Sequence, residues 1–345
     1  MSLRSGRHLL TALVLVGALN FPAGAQHGQD PVPPASTAPS SGANPTEQAV
    51  TEQQLLQEMR KLEGRITIPD YKAALLEQPQ GRSYQFFHER LLPWLMGGLI
   101  VAMIAGLALF FLLRGRILTE APDSGIKIRR FNVLERTTHW MTATCFIVLA
   151  LTGLNYVFGK RLLFPLIGPD AFAALSQWSK FAHTAMAWPF MLGLLIMVAL
   201  WVRGNLPDRY DWRWLREFGG FTSGSHPPAG RFNAGQKLIF WSVVIFGLLL
   251  SATGLIMLFP FWALDINGMQ WAQYGHASAA AILIAVIIAH IYIGTLGMAG
   301  AYDAMGRGEV DLTWAREHHS LWADEEEHQI RGRSDLAGRA GSPAE

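Results

Sequence analysis

One cysteine, Cys145, stands in 345 residues. The chain therefore forms no internal disulfide and carries no four-cysteine cluster, and no C-x-x-C-H run is present to attach a c-type haem covalently. Charge is scarce as well, at 16% of residues, while 50% are hydrophobic and the mean hydropathy is +0.21. That balance is foreign to a soluble domain of this size and points to a membrane protein. A net charge of +2, spread through loops instead of gathered in a patch, excludes nucleic acid as a partner class.

Five apolar runs, at about 91–113, 138–158, 184–202, 238–259 and 277–299, contain no Asp, Glu, Lys or Arg. Each is long enough for a spanning helix. Before them, residues 1–25 combine Arg4 and Arg7, an apolar core and "AGA", the pattern of a secretory signal peptide, with an uncleaved anchor as the competing reading. Residues 26–90 then read as a periplasmic extension. It is partly disordered where "QHGQDPVPPASTAPSSGANPT" lacks large apolar groups, and has a short surface helix after it. If residue 26 lies outside, the first run delivers Arg114, Arg116, Lys127, Arg129 and Arg130 inside, and the third delivers Arg203, Arg209, Arg213, Arg216, Arg231 and Lys237 there too. Both loops obey the positive-inside rule. The expected protein is an all-α, multi-pass protein of the bacterial inner membrane with its mature N-terminus periplasmic. Residues 91–113 form an extra helix, a four-helix domain occupies 114–322, and a cytoplasmic tail follows at 323–345, with charged sequence beginning near residue 300. The stretch 159–180 is expected as an outer loop.

An internal repeat underlies the four-helix domain. "RFNVLERTTHW…TGL" (130–154) superimposes on "RFNAGQKLIFW…TGL" (231–255) at an offset of 101, and the next helices open with "KFAHTAMAW" and "QYGHASAAA". Two related hairpins follow from this. The copies differ at one telling place: His139 falls on Phe240, and the second copy has its additional histidine at His290.

Four histidines thus sit at membrane helices, where ionisable groups are costly and by default functional. His276 and His290 are 14 residues apart, on nearly one helix face and separated by about 21 Å. His183 matches His276 in depth, on the outer side, and His139 matches His290 on the inner side. Two imidazoles facing each other across a bundle suit a haem iron. Zinc would want further ligands, and a proton relay would want carboxylates. The expectation is a transmembrane di-haem cytochrome b bundle with two b haems, iron-bound by His139, His183, His276 and His290, carrying electrons and making no bonds of its own. Gly153 and Gly254 would admit the flat porphyrin, or serve helix packing. Arg129, Arg130 and Arg136 would neutralise propionates, or anchor the inner face. Asn233, Gln236 and Lys237, beside the inner histidines, offer donors for a quinone, or form a capped helix start with a lysine anchor.

"RRFNVLERTTHWMTATCFIVLALTGL", "KFAHTAMAW", "RFNAGQKLIFW", "ATGLIM" and "YGHASAAAILIAVIIAHIY" together resemble the gamma subunit of membrane-bound respiratory formate dehydrogenase, a b556-type cytochrome. The resemblance spans roughly residues 126–322. It implies a four-helix bundle with two b haems that anchors an iron–sulfur beta subunit and a molybdenum or tungsten alpha subunit on the periplasmic face. It also implies His183 and His276 as outer-haem ligands and His139 and His290 as inner-haem ligands. Asn233 would lie at the quinone site with His290 in reach, and protons would be taken up from inside. The N-terminal part resembles a longer form of the subunit, in which residues 64–90 could brace the beta subunit. The b-type cytochrome of a nickel–iron hydrogenase is a close rival, and a non-haem membrane scaffold or transporter subunit is a rival of another class.

Overall fold

A computed structural model describes residues 79–220 and 224–329, all within the unit Glu77–Glu345. The expected signal peptide, tether and surface helix, and most of the expected bracing segment, lie outside the described residues.

Helix dominates, as the apolar runs require: a bilayer offers backbone groups no partner, so each span must satisfy its own. Among the described residues, five helices are long and apolar enough to cross a membrane: Gly81–Arg114, Val133–Leu162, Phe164–Trp201, Ala234–Leu258 and Ile266–Gly297. The first comprises α1 (Pro79–Phe86), a π turn at Phe87–Leu91 and α2 (Leu92–Arg114), and it stops at Gly115 with φ +71°. The next, α3 (Val133–Leu162), opens on a capping box: the Asn132 side chain accepts the Glu135 N–H, and the Glu135 carboxylate accepts the Asn132 N–H. After the short α5 (Asp211–Arg216), the start of α6 (Ala234–Leu258) repeats the device with Asn233 and Gln236. An Asp265 cap begins α7 (Ile266–Tyr292).

The expected outer loop at 159–180 is corrected. It is almost wholly helical, because α4 runs from Phe164 to Trp201 with one break at Gly168 (φ +76°). Pro165 and Pro169, which look like breakers in the sequence, each stand where a helical stretch begins and no N–H is needed.

Helices α3 and α4 form one hairpin and α6 and α7 the other, with α4 against α6, while α2 lies mainly along α7. At the arginine-rich end a floor closes the bundle. It includes β1 (Lys127–Arg129) paired antiparallel with β2 (Glu309–Asp311), the small exception to an all-α fold. The chain after α2 is stitched to the chain after α7. Ile117 bridges Met298, the Glu317 carboxylate accepts the N–H groups of Glu120 and Ala121, and the Asp311 carboxylate accepts those of Ser124 and Gly125. The expected charged tail from about residue 300 is therefore folded through 329. It comprises α8 (Ala301–Gly306), β2, α9 (Leu312–His318) and a helix over 320–329. Trp314, Ala315, Trp322 and Ala323 are buried there against Phe131, Trp201 and Phe232.

Candidate functional site

The four histidines fall into two pairs. His139 of α3 faces His290 of α7 with ring centroids 6.1 Å apart, and His183 of α4 faces His276 of α7 at 6.2 Å. No hydrogen bond joins the rings of either pair, whose planes are inclined at 62° and 56°. A metal–imidazole bond of about 2 Å on each side, with about 1 Å more from nitrogen to ring centre, sets two trans imidazoles about 6 Å apart, which is the spacing of both pairs. Among the described residues no cluster of three or more His, Cys, Asp or Glu is placed to hold a bare metal ion. Two imidazoles per pair at this spacing fit a metal whose remaining ligands come with the bound group, as in haem.

Hydrogen bonds fix the rings of the second pair. Thr152 Oγ1 lies 2.7 Å from the Val148 carbonyl, to which it donates, and 2.8 Å from His183 Nδ1. Thr253 Oγ1 likewise donates to the Leu249 carbonyl at 2.6 Å and lies 3.0 Å from His276 Nδ1. With the hydroxyl proton committed to the helix, the threonine oxygen accepts from Nδ1–H. The lone pair of each ring is thus left on Nε2, the tautomer a metal needs. Gly153 and Gly254 follow immediately. A Cβ on them would come to 3.8 Å from His183 Cε1 and 3.5 Å from His276 Cε1, so these glycines bring the α3 and α6 backbones against the same rings. Neither glycine has a histidine of the first pair among its nearest neighbours. There the His139 ring stacks edge-on with Trp140, and His139 Nδ1 is buried without a partner.

The basic residues at the closed end are engaged structurally. Arg130 is buried, and it donates to the Arg231 carbonyl and approaches His319. It also packs over the Trp322 ring at 4.4 Å, a cation–π contact. Burial, with Arg231 adding to it and Glu135 opposing it, pulls its guanidinium down to about 9, and burial holds His319 well below the usual imidazole value. Arg136 donates to the carbonyls of Met305 and Gly306, while Arg129 lies exposed on β1. Arg130 and Arg136 are thus fastenings of the floor, while Arg130 Nε and Nη1 stay buried without a hydrogen-bond partner.

Of the three residues offered to a quinone, Lys237 is tied into ion pairs. Its ammonium is buried and ion-paired with Asp208 at 2.7 Å and Asp211 at 2.9 Å. Burial raises the Asp208 carboxyl, but hydrogen bonds from Lys237 and from the Tyr210 and Asp211 amides outweigh it and hold the group below its ordinary value. The side-chain oxygens of Asn233 and Gln236 are spent on the capping box. Their amide NH2 groups make no hydrogen bond within the described residues and remain able to donate.

Sequence reasoning missed Thr152, Thr253 and the Glu135 carboxylate, which accepts from Trp201 Nε1 at 2.8 Å and Arg231 at 2.7 Å. The recurrence of "TGL" was the available signal for the threonines.

A family model described as prokaryotic cytochrome b561 matches residues 130–308. The chain is similar to the formate dehydrogenase cytochrome b556(fdo) subunit of Escherichia coli K12, with 33% identity over 199 residues covering 56% of this chain and 91% of the relative. It is also similar to the nitrate-inducible formate dehydrogenase cytochrome b556(Fdn) subunit of the same organism, at 31% over 202 residues (56% and 89%). The formate dehydrogenase cytochrome b556 subunit of Haemophilus influenzae is 29% identical over 211 residues (58% and 84%).

Proposed function

Because the chain belongs to the prokaryotic cytochrome b561 family, and its formate dehydrogenase relatives match it over most of their own length, we propose that it is the membrane-anchoring cytochrome b subunit of a quinone-reducing formate dehydrogenase. Electrons from a periplasmic iron–sulfur beta subunit, fed by a molybdenum or tungsten alpha subunit, cross the inner membrane through this chain to quinone. The observation that carries the reading is the pair of imidazole couples, each with its ring centres about 6 Å apart. His183 and His276 would hold the outer haem b and His139 and His290 the inner one. Held by these four histidines, haem would supply one-electron transfer.

The mature N-terminus is periplasmic, and the arginine-rich floor faces the cytoplasm, where the surface charge of the membrane favours it. The Asn233 and Gln236 amides donate to a quinone carbonyl on the inner side, with Lys237 holding the start of α6 in place from behind through Asp208 and Asp211. The chain alone performs no formate chemistry.

The test is a reduced-minus-oxidised spectrum of the purified complex with formate or hydrogen as reductant. A b-type band reduced by formate and not by hydrogen is expected. Absence of a b-type band, or reduction by hydrogen alone, overturns the assignment, the second outcome in favour of a hydrogenase cytochrome.

A further inference from the structure

The two histidine pairs are built alike in spacing and differently in support. In the outer pair both rings give their Nδ1–H to a threonine, Thr152 for His183 at 2.8 Å and Thr253 for His276 at 3.0 Å. The two threonines occupy equivalent positions of the repeat, both are buried, and each has its own proton tied to a helix carbonyl. The carbonyls of Leu149 and Leu250, also equivalent in the repeat, lie in the same cradles. In the inner pair His139 Nδ1 is buried with no partner, and no hydrogen bond reaches the His290 ring among the described residues.

A hydrogen bond from Nδ1–H to an oxygen makes an imidazole a more basic ligand. A more basic ligand favours the more positively charged, oxidised metal and so lowers the reduction potential, one of the protein's levers on haem. We propose that Thr152 and Thr253 are positioning residues that hold the outer site at a lower potential than the inner one, so that electron flow from the outer to the inner side runs downhill. The proposal rests on the di-haem reading above and adds to it a direction written into both copies of a "TG" pair. Gly153 and Gly254 are its steric companions, bringing the threonine-bearing backbones against the rings they orient.

The experiment is an optical redox titration of the intact complex carrying wild-type chain, Thr152→Val, Thr253→Val, the double variant, and Thr152→Ser with Thr253→Ser. Valine keeps the shape and removes the acceptor; serine keeps the acceptor. In the wild type the two haems should titrate as two resolved steps. Each valine variant should move the lower step to a higher potential and leave the upper step in place, the double variant should move it furthest, and the serine variant should return it to the wild-type position. A single unresolved wild-type transition overturns the proposal without any variant. So does a full haem complement in the valine variants with neither step moved, or with the upper step moved instead. A wild-type complex with no b-type haem would fail the underlying reading, a result distinct from any of these.

Discussion

Glu135 holds the two repeats together at the floor, and replacing it by alanine tests that arrangement. Its carboxylate is 4% exposed as a residue and accepts three bonds, from Trp201 Nε1, Arg231 Nη2 and the Asn132 N–H. Orphaning the buried indole N–H costs about 1–3 kcal/mol. Arg231 keeps 37% of its side chain exposed, so solvent discounts the lost ion pair to about 1 kcal/mol at most. Losing one arm of the capping box costs about 1 kcal/mol. Together these come to about 2–5 kcal/mol, or a fall in melting temperature of roughly 4–20 °C for a domain of this size. Glu135→Gln should fall less, because Gln236 demonstrates in the second copy that an amide serves the cap, while one amide oxygen cannot replace a carboxylate for Trp201 and Arg231 together. Thermal denaturation of the detergent-solubilised complex, followed by size-exclusion recovery, measures both. A melting temperature for Glu135→Ala within about 2 °C of the wild type would refute the ledger of orphaned donors.

Replacing His276 or His290 by alanine should remove one haem each and leave the other, read as half the wild-type haem per protein in a pyridine haemochrome assay. Asn233→Ser keeps a capping oxygen and removes the amide donor, so quinone reduction should slow while formate still reduces the haems; unchanged quinone kinetics would clear Asn233 of that role. A Cβ on Gly193 would lie 2.2 Å from Thr142 Oγ1 and 3.1 Å from Met141 Cε, so Gly193→Ala should force α3 from α4 and cost about 1–3 kcal/mol of stability. His318 is held at about 4, chiefly by burial, with Glu317 opposing and His226 adding to it. The unfolded chain binds that proton near 6.5 and the folded chain only near 4. Stability is therefore lost as pH falls through this window, by up to about 3 kcal/mol, and His318→Gln should flatten the dependence of melting temperature on pH between 4 and 6.5.

How much was legible follows from how many physical explanations each pattern admits. A run free of charge and long enough for a bilayer has essentially one, so the five spans were readable. A lysine or arginine beside a helix start has several, and the sequence could not choose among them. The partners of Lys237 lie 29 and 26 residues away, and Arg130 and Arg231 exchange bonds to each other's carbonyls across 101 residues. Proline at 165 and 169 was ambiguous in the same way, since it ends a helix from inside and begins one from the first turn.

The repeat explains why the histidines were the most readable part of the site and why one of them broke the pattern. His183 and His276 are equivalent to each other, 93 positions apart in the second helices of the two hairpins. The outer pair is therefore made by the two copies meeting at a shared pseudo-symmetry axis, and duplicated threonines and glycines serve both rings. The inner pair lies off that axis and joins unlike positions, so the repeat requires a twin location built from Phe240, which corresponds to His139, and Met197, which corresponds to His290. Both are buried in the apolar cluster that seals the floor. The twin is thus closed by two large apolar side chains. On the di-haem reading proposed above, the divergence of His139 from Phe240 leaves one histidine pair at that depth where strict symmetry would have built two.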